Sequence, residues 1–369
     1  MVALATALLK AGHNVRFATS APLDEAIRGD GFDVETVGLS TAEIREAREK
    51  DPAFPKFYEA GRRMRMAAFS KSFADFEVPP RVAGLRRVIQ TWRPSLLIHE
   101  MSEFAGPLAG ALEDLPTVNH SFGPLVEADV MAAAGAVAAR HWLDNGLSAP
   151  DRGGMYGRLY LDLAPPSLQY PHIATVSAVQ PLRPVPLELT SAEAPEWLSQ
   201  LGRRPVVTVT FGTVFNDRID LYRTVIDGLA GTDLDVVITS GRSEAAKALV
   251  TLPANIQVHE WVPWALLLAR SAVVVSHGGA SSTLGPLSLG LPLVVVPLGA
   301  DHFTNAGLMS SAGAAIVLEA ETLTATGLRD AVTTALVGPA RTAARRIAAE
   351  IAEMPAPEAV VPVLTKIAA

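Results

Sequence analysis

Residues 273–306 read VVVSHGGASSTLGPLSLGLPLVVVPLGADHFTNA, and the fold is decided by how this stretch is parsed. An apolar run reaches Ser276, two glycines follow His277, and residues 280–283 open a helix. A second apolar run, 293–297, is followed at once by Asp301, His302 and Asn305. Buried strand, glycine turn, helix and buried strand form the repeating unit of a parallel α/β sheet. Ligands of such sheets bind outside the carboxyl ends of the strands. Where strand gives way to helix, several backbone N–H groups and the positive end of the helix dipole converge on one spot, and an anion can sit there. Gly278 and Gly279 allow close backbone approach. His277 and the hydroxyls of Ser281, Ser282 and Thr283 can donate to phosphate oxygens. A His-Gly-Gly turn alone is as often structural as functional. The polar cluster after the next strand, on the same edge, is what turns this one into a diphosphate cradle.

Outward from that stretch the second half repeats the pattern. Strand-like runs at 206–211, 235–239, 256–259 and 272–276 alternate with helical segments, as in a doubly wound sheet. The first half alternates too: apolar runs at 32–37, 95–99 and 116–119, a helix at 81–92 stopped by Pro94, and an Ala-rich helix at 128–143. Residues 40–78 mix charge with Phe54, Phe57, Tyr58, Phe69, Phe73 and Phe76 without a clean strand; they suit either loops over a pocket mouth or ordinary helix packing. Pro165, Pro166, Pro171, Pro181, Pro184 and Pro186 cluster where neither helix nor central strand can persist, which marks a linker. The expected organisation is an N-terminal domain at 1–180, a linker at 181–190, a C-terminal domain at 191–345 and a helical tail at 346–369 broken by Pro355, Pro357 and Pro362. The opening is unusual: helix at 1–10, Gly12, then strand at 15–19. A doubly wound domain normally begins on a central strand whose loop reaches the ligand crevice. Either that element lies upstream of Met1 or this product lacks it.

Composition sets the limits. With 369 residues, 49% hydrophobic and 19% charged, the chain can bury two cores. A net charge of −7 leaves no excess of cations for a phosphate backbone, so nucleic acid is an unsuitable partner. The absence of cysteine removes disulfides, thiolate metal sites and thiol nucleophiles, and suits a reducing cytoplasm. No apolar run reaches the roughly 18 residues of a membrane span, and the apolar start at 1–9 lacks the basic flank of a signal peptide. Arginine in excess of lysine, with abundant alanine and proline, points to a GC-rich bacterial source.

Taken in order, AGHNV, LLIHEMSEFAGPLAGAL, TVTFGTV and the HisGlyGly stretch resemble, over nearly the whole chain, the GT-B glycosyltransferases that decorate macrolides, enediynes, glycopeptides and other natural products. The resemblance implies two Rossmann-like doubly wound domains with an interdomain cleft, a hydrophobic acceptor on the N-terminal one and a dTDP- or UDP-sugar on the C-terminal one. It implies inverting transfer, most naturally of a deoxysugar, with the nucleotide sugar as co-substrate and neither cofactor nor metal. Oligomeric state stays open. By resemblance His277 and the backbone of Gly278, Gly279, Ala280, Ser281 and Ser282 hold the diphosphate. Thr213 reaches it from the opposite loop, Trp261 and Val262 border the base, Gly241 lines the ribose, and Asp301 and His302 meet the sugar hydroxyls. The chain departs from the pattern in having His302 where glutamine is usual and Ser281 where glycine is usual.

The family's base, a histidine after the first strand, has no counterpart from Met1 onward. Glu100 matches the acid that orients it, Glu103 is the second choice, and either could serve as base. His13 lies in a turn at the far end of the sheet. His99 and His120 sit at strand ends where a catalytic or a structural role fits, while His172 and His259 are read as structural. Two rivals share the cradle: a non-catalytic or auxiliary nucleotide-sugar-binding protein, and a nucleotide-sugar epimerase, which would want more acidic groups around the sugar.

Overall fold

The structure, a computed structural model, describes residues 1–50, 62–185, 194–212, 217–241 and 251–369. It divides into two compact units, one comprising Met1–Leu163, Tyr170–Arg183 and Pro355–Ala369, the other Ala164–Gln169 and Pro184–Met354. In chain order the strands of the first are β1 (Arg16–Thr19), β2 (Asp33–Thr36), β3 (Leu97–Glu100), β4 (Thr117–His120), β5 (Tyr160–Asp162) and β6 (Val179–Pro181). Those of the second are β7 (Val206–Thr210), β8 (Asp235–Thr239), β9 (Ile256–His259), β10 (Ser271–Ser276), β11 (Leu293–Val295) and β12 (Ala315–Val317).

The second unit holds one parallel sheet in the order β12-β11-β10-β7-β8-β9. Its central strands are β-branched and apolar because both faces are covered. Val207, Val209, Val273, Val275 and Val294 turn to one side, against Leu221, Val225, Leu328 and Val332 of the helices Ile219–Leu229 and Ala325–Val337. Val206 and Val237 turn to the other, against Leu198, Leu201 and Leu267. Each such side chain taken from water stabilises by about 1.5–3 kcal/mol. The chain runs from β7 outward to β8 and β9, then returns to lay β10 on the opposite side of β7. Strand order therefore reverses between β7 and β10, and a doubly wound sheet opens its crevice at that point.

The first unit carries two parallel sheets, β1-β2 and β3-β4-β5-β6. On one face of the larger sheet Val118 and Leu161 pack with Leu4, Val360 and Leu364. A second core gathers Phe104 and Leu108 of the β3–β4 connection with Val82, Leu85, Met131 and Trp142 of the helices Val78–Trp92 and Ala128–Asp144.

Several expectations are refined. The proline-rich stretch holds a strand after all: β6 pairs with β5 at the sheet's edge and ends on Pro181, the one kind of strand position where a missing N–H costs no ladder bond. The unit boundary falls at Arg183, and residues 186–193 of the expected linker region lie outside those described. The tail is two elements, not one. Pro339–Glu353 packs within the C-terminal unit, whereas Pro357–Ala368 lies against Val2–Lys10 in the N-terminal one, where Thr365 Oγ1 and His13 Nε2 are 3.2 Å apart. Pro362 sits inside that last helix without ending it, because Val360, Val361 and Leu364 anchor the helix around it. Of the aromatics in 40–78, Phe69 packs on Phe73 and Phe104 at ring separations of 5.3 and 6.3 Å, the ordinary packing alternative; Phe54, Phe57 and Tyr58 lie outside the described residues.

One polar side chain holds the turn that feeds β8. Buried Asn255 donates from Nδ2 to the Leu229 and Leu234 carbonyls at 2.9 and 3.1 Å, and its Oδ1 accepts from Gly231 N–H at 3.1 Å. Asn255→Ala leaves those groups buried without partners. It should lower unfolding free energy by about 2–3 kcal/mol in urea titration.

Candidate functional site

The β7–β10 switch point is occupied by an imidazole. His277 follows β10, and its ring lies against the turn that leaves β7. A Cβ built on Gly212 would stand 2.7 Å from His277 Cε1 and 2.9 Å from Nε2, and one on Gly279 only 2.5 Å from Nε2. Glycine at both positions is thus the condition for the ring to lie where it does. Gly212 also has φ of 75° and Gly278 of 93°, left-handed values that a side chain resists. His277 Nδ1 is 3.4 Å from the Thr210 carbonyl. A carbonyl can only accept, so Nδ1 carries the proton and Nε2 of the neutral ring is bare. Burial lowers the pKa of this imidazole to about 4, and the Thr210 carbonyl works weakly the other way.

The helix Ala280–Ser288 starts immediately afterwards, with Gly279 as its extended N-cap and no side-chain cap bond. The amides of its first turn lack intrahelical partners and point out of the helix start. The hydroxyls behave differently from expectation. Ser282 Oγ donates to the Gly279 carbonyl at 2.8 Å, and Thr283 Oγ1 donates to the carbonyls of Gly279 and Ala280 at 3.1 and 2.9 Å. Both are buried and spend their hydrogens on the helix itself, as first-turn hydroxyls commonly do, which leaves Ser281 as the exposed one.

The loop after β11 closes against this turn. Ala300, at φ of 47°, is a non-glycine residue in the left-handed region, and it delivers Asp301 to the N-cap of the helix His302–Ser311. Buried Asn305 donates from Nδ2 to the Gly278 carbonyl at 2.8 Å and to Asp301 Oδ2 at 2.7 Å, which ties the two loops together. His302 is turned inward. It is 4% exposed, its Nδ1 accepts from the amides of Leu298 and Gly299 at 3.3 and 3.1 Å, and its ring stands edge-on to His277 with centroids 4.5 Å apart. Amides only donate, so this Nδ1 is bare, the opposite tautomer to that of His277. Burial first, and then the neighbouring His277, push its pKa down to about 3. The loop thus holds the Nδ1 side of the ring to which the resemblance assigns a sugar contact. Residues 271–328 contain neither lysine nor arginine, so His277 and His302 are the groups in this strand-helix-strand-helix run that can become cationic.

The other positions implied for the nucleotide lie on the same carboxyl edge. Gly241 follows β8 with φ of 58°, and Trp261 follows β9 with 61% of its surface exposed. Val262 is a core residue, packed with Val237 and Leu267. Thr213 lies outside the described residues.

In the N-terminal unit the two glutamates separate. Glu100 ends β3 in register with His120 of β4. Its Oε2 accepts from Ser102 N–H at 2.7 Å and its Oε1 from Ser102 Oγ at 2.6 Å. Burial nevertheless pushes the carboxyl up to about 7, helped by Glu103, against the pull of the Ser102 bonds and Arg81. Glu103 instead accepts from Ala105 N–H at 2.9 Å at the start of the helix Ala105–Leu112 and pairs with Arg81, which also holds Glu77 at 2.5 Å. His99 and His120 are buried, each with Nδ1 beside the next backbone carbonyl, at 3.1 and 2.5 Å, and burial lowers them to about 4 and about 3. His259 stacks on Trp197 at 4.0 Å, and His172 stacks on Tyr170 and bonds the Val126 carbonyl. The Gly212 slot and the Arg81 pairing were not found by sequence reasoning, since both join residues far apart in the chain. Among the described residues no group of three His, Cys, Asp or Glu could hold a metal, and no helix is long and apolar enough to cross a membrane.

Comparison with known proteins agrees with this geometry. Residues 6–212 match the N-terminal domain, and residues 223–367 the C-terminal domain, of the erythromycin biosynthesis protein CIII-like family. The chain is 30% identical to L-demethylnoviosyl transferase of Streptomyces niveus, over 98% of this chain and 92% of that protein. It is 28% identical to 10-deoxymethynolide desosaminyltransferase of Streptomyces venezuelae, over 100% and 94%. Among solved structures, the spinosyn rhamnosyltransferase SpnG superposes with a TM-score of 0.81 at 27% identity, covering 99% of this chain and 95% of that one. It has been captured with thymidine diphosphate and with spinosyn aglycone. The chain belongs to the erythromycin CIII-like glycosyltransferases, GT-B enzymes of natural-product biosynthesis.

Proposed function

We propose that this enzyme moves a deoxysugar from a dTDP- or UDP-sugar to a hydroxyl of a hydrophobic natural product, with inversion at the anomeric carbon. The observation that carries the reading is the His277 slot at the β7–β10 switch, continuous with an uncapped helix start. An anion bound there meets the first-turn amides from Gly279 to Ser282, which need no reorganisation to receive it. Asp301, at the edge of the same pocket, accepts from sugar hydroxyls while Asn305 fixes one of its oxygens. Trp261 offers an exposed indole to the nucleotide base. The thymidine diphosphate bound by SpnG and the deoxysugars named in the relatives support dTDP as the carrier.

Transfer needs a base to take the acceptor's proton as its oxygen attacks and the diphosphate leaves. Glu100 fits that task better than Glu103. Its carboxyl is held near neutrality by burial, whereas Glu103 is committed to Arg81 and to a helix start. The base acts as carboxylate, so activity should climb as pH rises through about 7 and level off above it. A pH series of kcat/KM, read by mass spectrometry of glycosylated acceptor, checks this. Glu100→Gln should lower kcat by about 10²–10⁴-fold without changing donor affinity; an unchanged rate would remove Glu100 from the reaction.

The cradle has its own test. Gly278→Ala would place a Cβ 3.0 Å from Val295 Cγ1 and 3.1 Å from the His302 carbonyl, on a backbone at φ of 93°. The turn must move, and dTDP affinity measured by calorimetry should fall at least about tenfold, as strain of about 2 kcal/mol is relieved away from the binding geometry. Full affinity in a folded variant would place the nucleotide elsewhere.

A further inference from the structure

We propose that binding of the donor diphosphate draws one proton from solvent onto His277 Nε2, so that an imidazolium faces the leaving group. The proposal rests on the donor reading given above. The ring's proton lies on Nδ1, beside the Thr210 carbonyl, and Nε2 lies between the backbones of Gly212 and Gly279. A neutral ring in that state offers the anion a lone pair, which repels it. To donate to a phosphate oxygen without giving up Thr210, the ring must take a second proton.

On the β7 side His277 meets the Thr210 carbonyl and the Gly212 backbone, and on its own turn Gly279. From the helix His302–Ser311 it meets the ring of His302, set edge to face at 4.5 Å, whose own pKa His277 lowers. Protonating His302 at Nδ1 would forfeit its bonds from Leu298 and Gly299 and loosen the loop, so that ring stays neutral. Lysine and arginine are absent from 271–328. Desolvation keeps His277 neutral while the site is empty, with its pKa down at about 4. An incoming diphosphate reverses that balance, since an opposite charge within a few ångströms favours the ionised form. The step adds a proton to the Nε2 lone pair and breaks no other bond. When the sugar–oxygen bond breaks, the charge released on the nucleoside diphosphate meets the imidazolium, and the proton returns to solvent as that product departs.

The sign of the linkage follows. The group is neutral when free and charged when bound, so affinity rises as pH falls, by up to tenfold per pH unit, between the free value of about 4 and the higher bound value. Above the bound value affinity is flat. The test uses the full chain and dTDP-glucose, whose diphosphate is esterified at both ends and does not itself titrate near neutrality. Calorimetric titration near pH 6 in buffers of different ionisation enthalpy reads the protons taken up per site. About one is expected for the unaltered chain and for His302→Gln, and none for His277→Asn, which keeps an N–H donor that cannot ionise. Binding to the unaltered chain with no proton uptake overturns the inference and leaves the donor site standing. Uptake that persists in folded His277→Asn overturns it as well. Failure of the unaltered chain to bind dTDP-glucose or dTDP defeats the donor reading, and the inference with it. The first of these measurements needs no variant, so a misfolded mutant cannot hide the answer.

Discussion

A parallel sheet covered on both faces has no room for polar side chains along its strands, and this constraint organises the C-terminal unit. β7, β8 and β11 are valine, leucine, isoleucine and threonine but for Asp235, and β10 carries three buried valines before Ser276; only Asp235, Ser271 and Ala272, at strand starts, are part-exposed. Groups that hydrogen-bond or titrate are therefore expelled to the strand ends. At the carboxyl edge they come together because the strands are parallel, and at β7–β10 they gain depth because the order reverses there. The position of His277 is thus a consequence of the hydrophobic core beneath it. A one-residue slip in β10 would turn Val273 and Val275 away from their core and carry the histidine out of the Gly212 slot.

Precision at that edge comes from backbone, not from charge. Gly278 and Gly279 give the turn its path, and Asn305 binds the Gly278 carbonyl and Asp301 together. His302 spends its lone pair on two amides of the loop. A lysine or arginine in their place would add attraction for an anion but would bring a flexible side chain and a desolvation cost in a buried turn. Two neutral imidazoles of opposite tautomer, packed edge to face, hold the loops without a net charge.

β7, β8, β10 and β11 were legible in the sequence because each is a β-branched run that meets glycine, proline or serine at or just past its end. β12, three residues of ordinary composition, was not, and neither was β6, which hides among prolines. His277, Asp301 and Asn305 could be placed from local order alone, strand then turn then helix. What could not be read was which way a side chain points once packed. Ser282 and Thr283 carry the right groups for a phosphate but return their hydrogens to helix carbonyls, and His302, next to Asp301 in sequence, turns its Nδ1 to the loop. Those outcomes depend on partners brought in by the fold. Pro355 marks the division of the tail in the sequence, but the packing of its last helix on Val2–Lys10 is recorded by no local pattern.

Glu100 and Glu103 make the same point about chemistry. Three residues apart and alike in type, they end in opposed environments. Glu103 pairs with the Arg81 guanidinium and accepts from Ala105 N–H at a helix start; Glu100 has hydrogen bonds from a single serine set against burial. A carboxylate whose charge is opposed by burial, as that of Glu100 is, has more drive to accept a proton from an alcohol than one in water. Arg81 sharpens the contrast by binding Glu77 and Glu103 directly while acting on Glu100 only at a distance. The salt bridge thus engages one glutamate and leaves burial to act on the other, at the end of β3. This difference in surroundings arises from packing, since the two residues carry identical side chains.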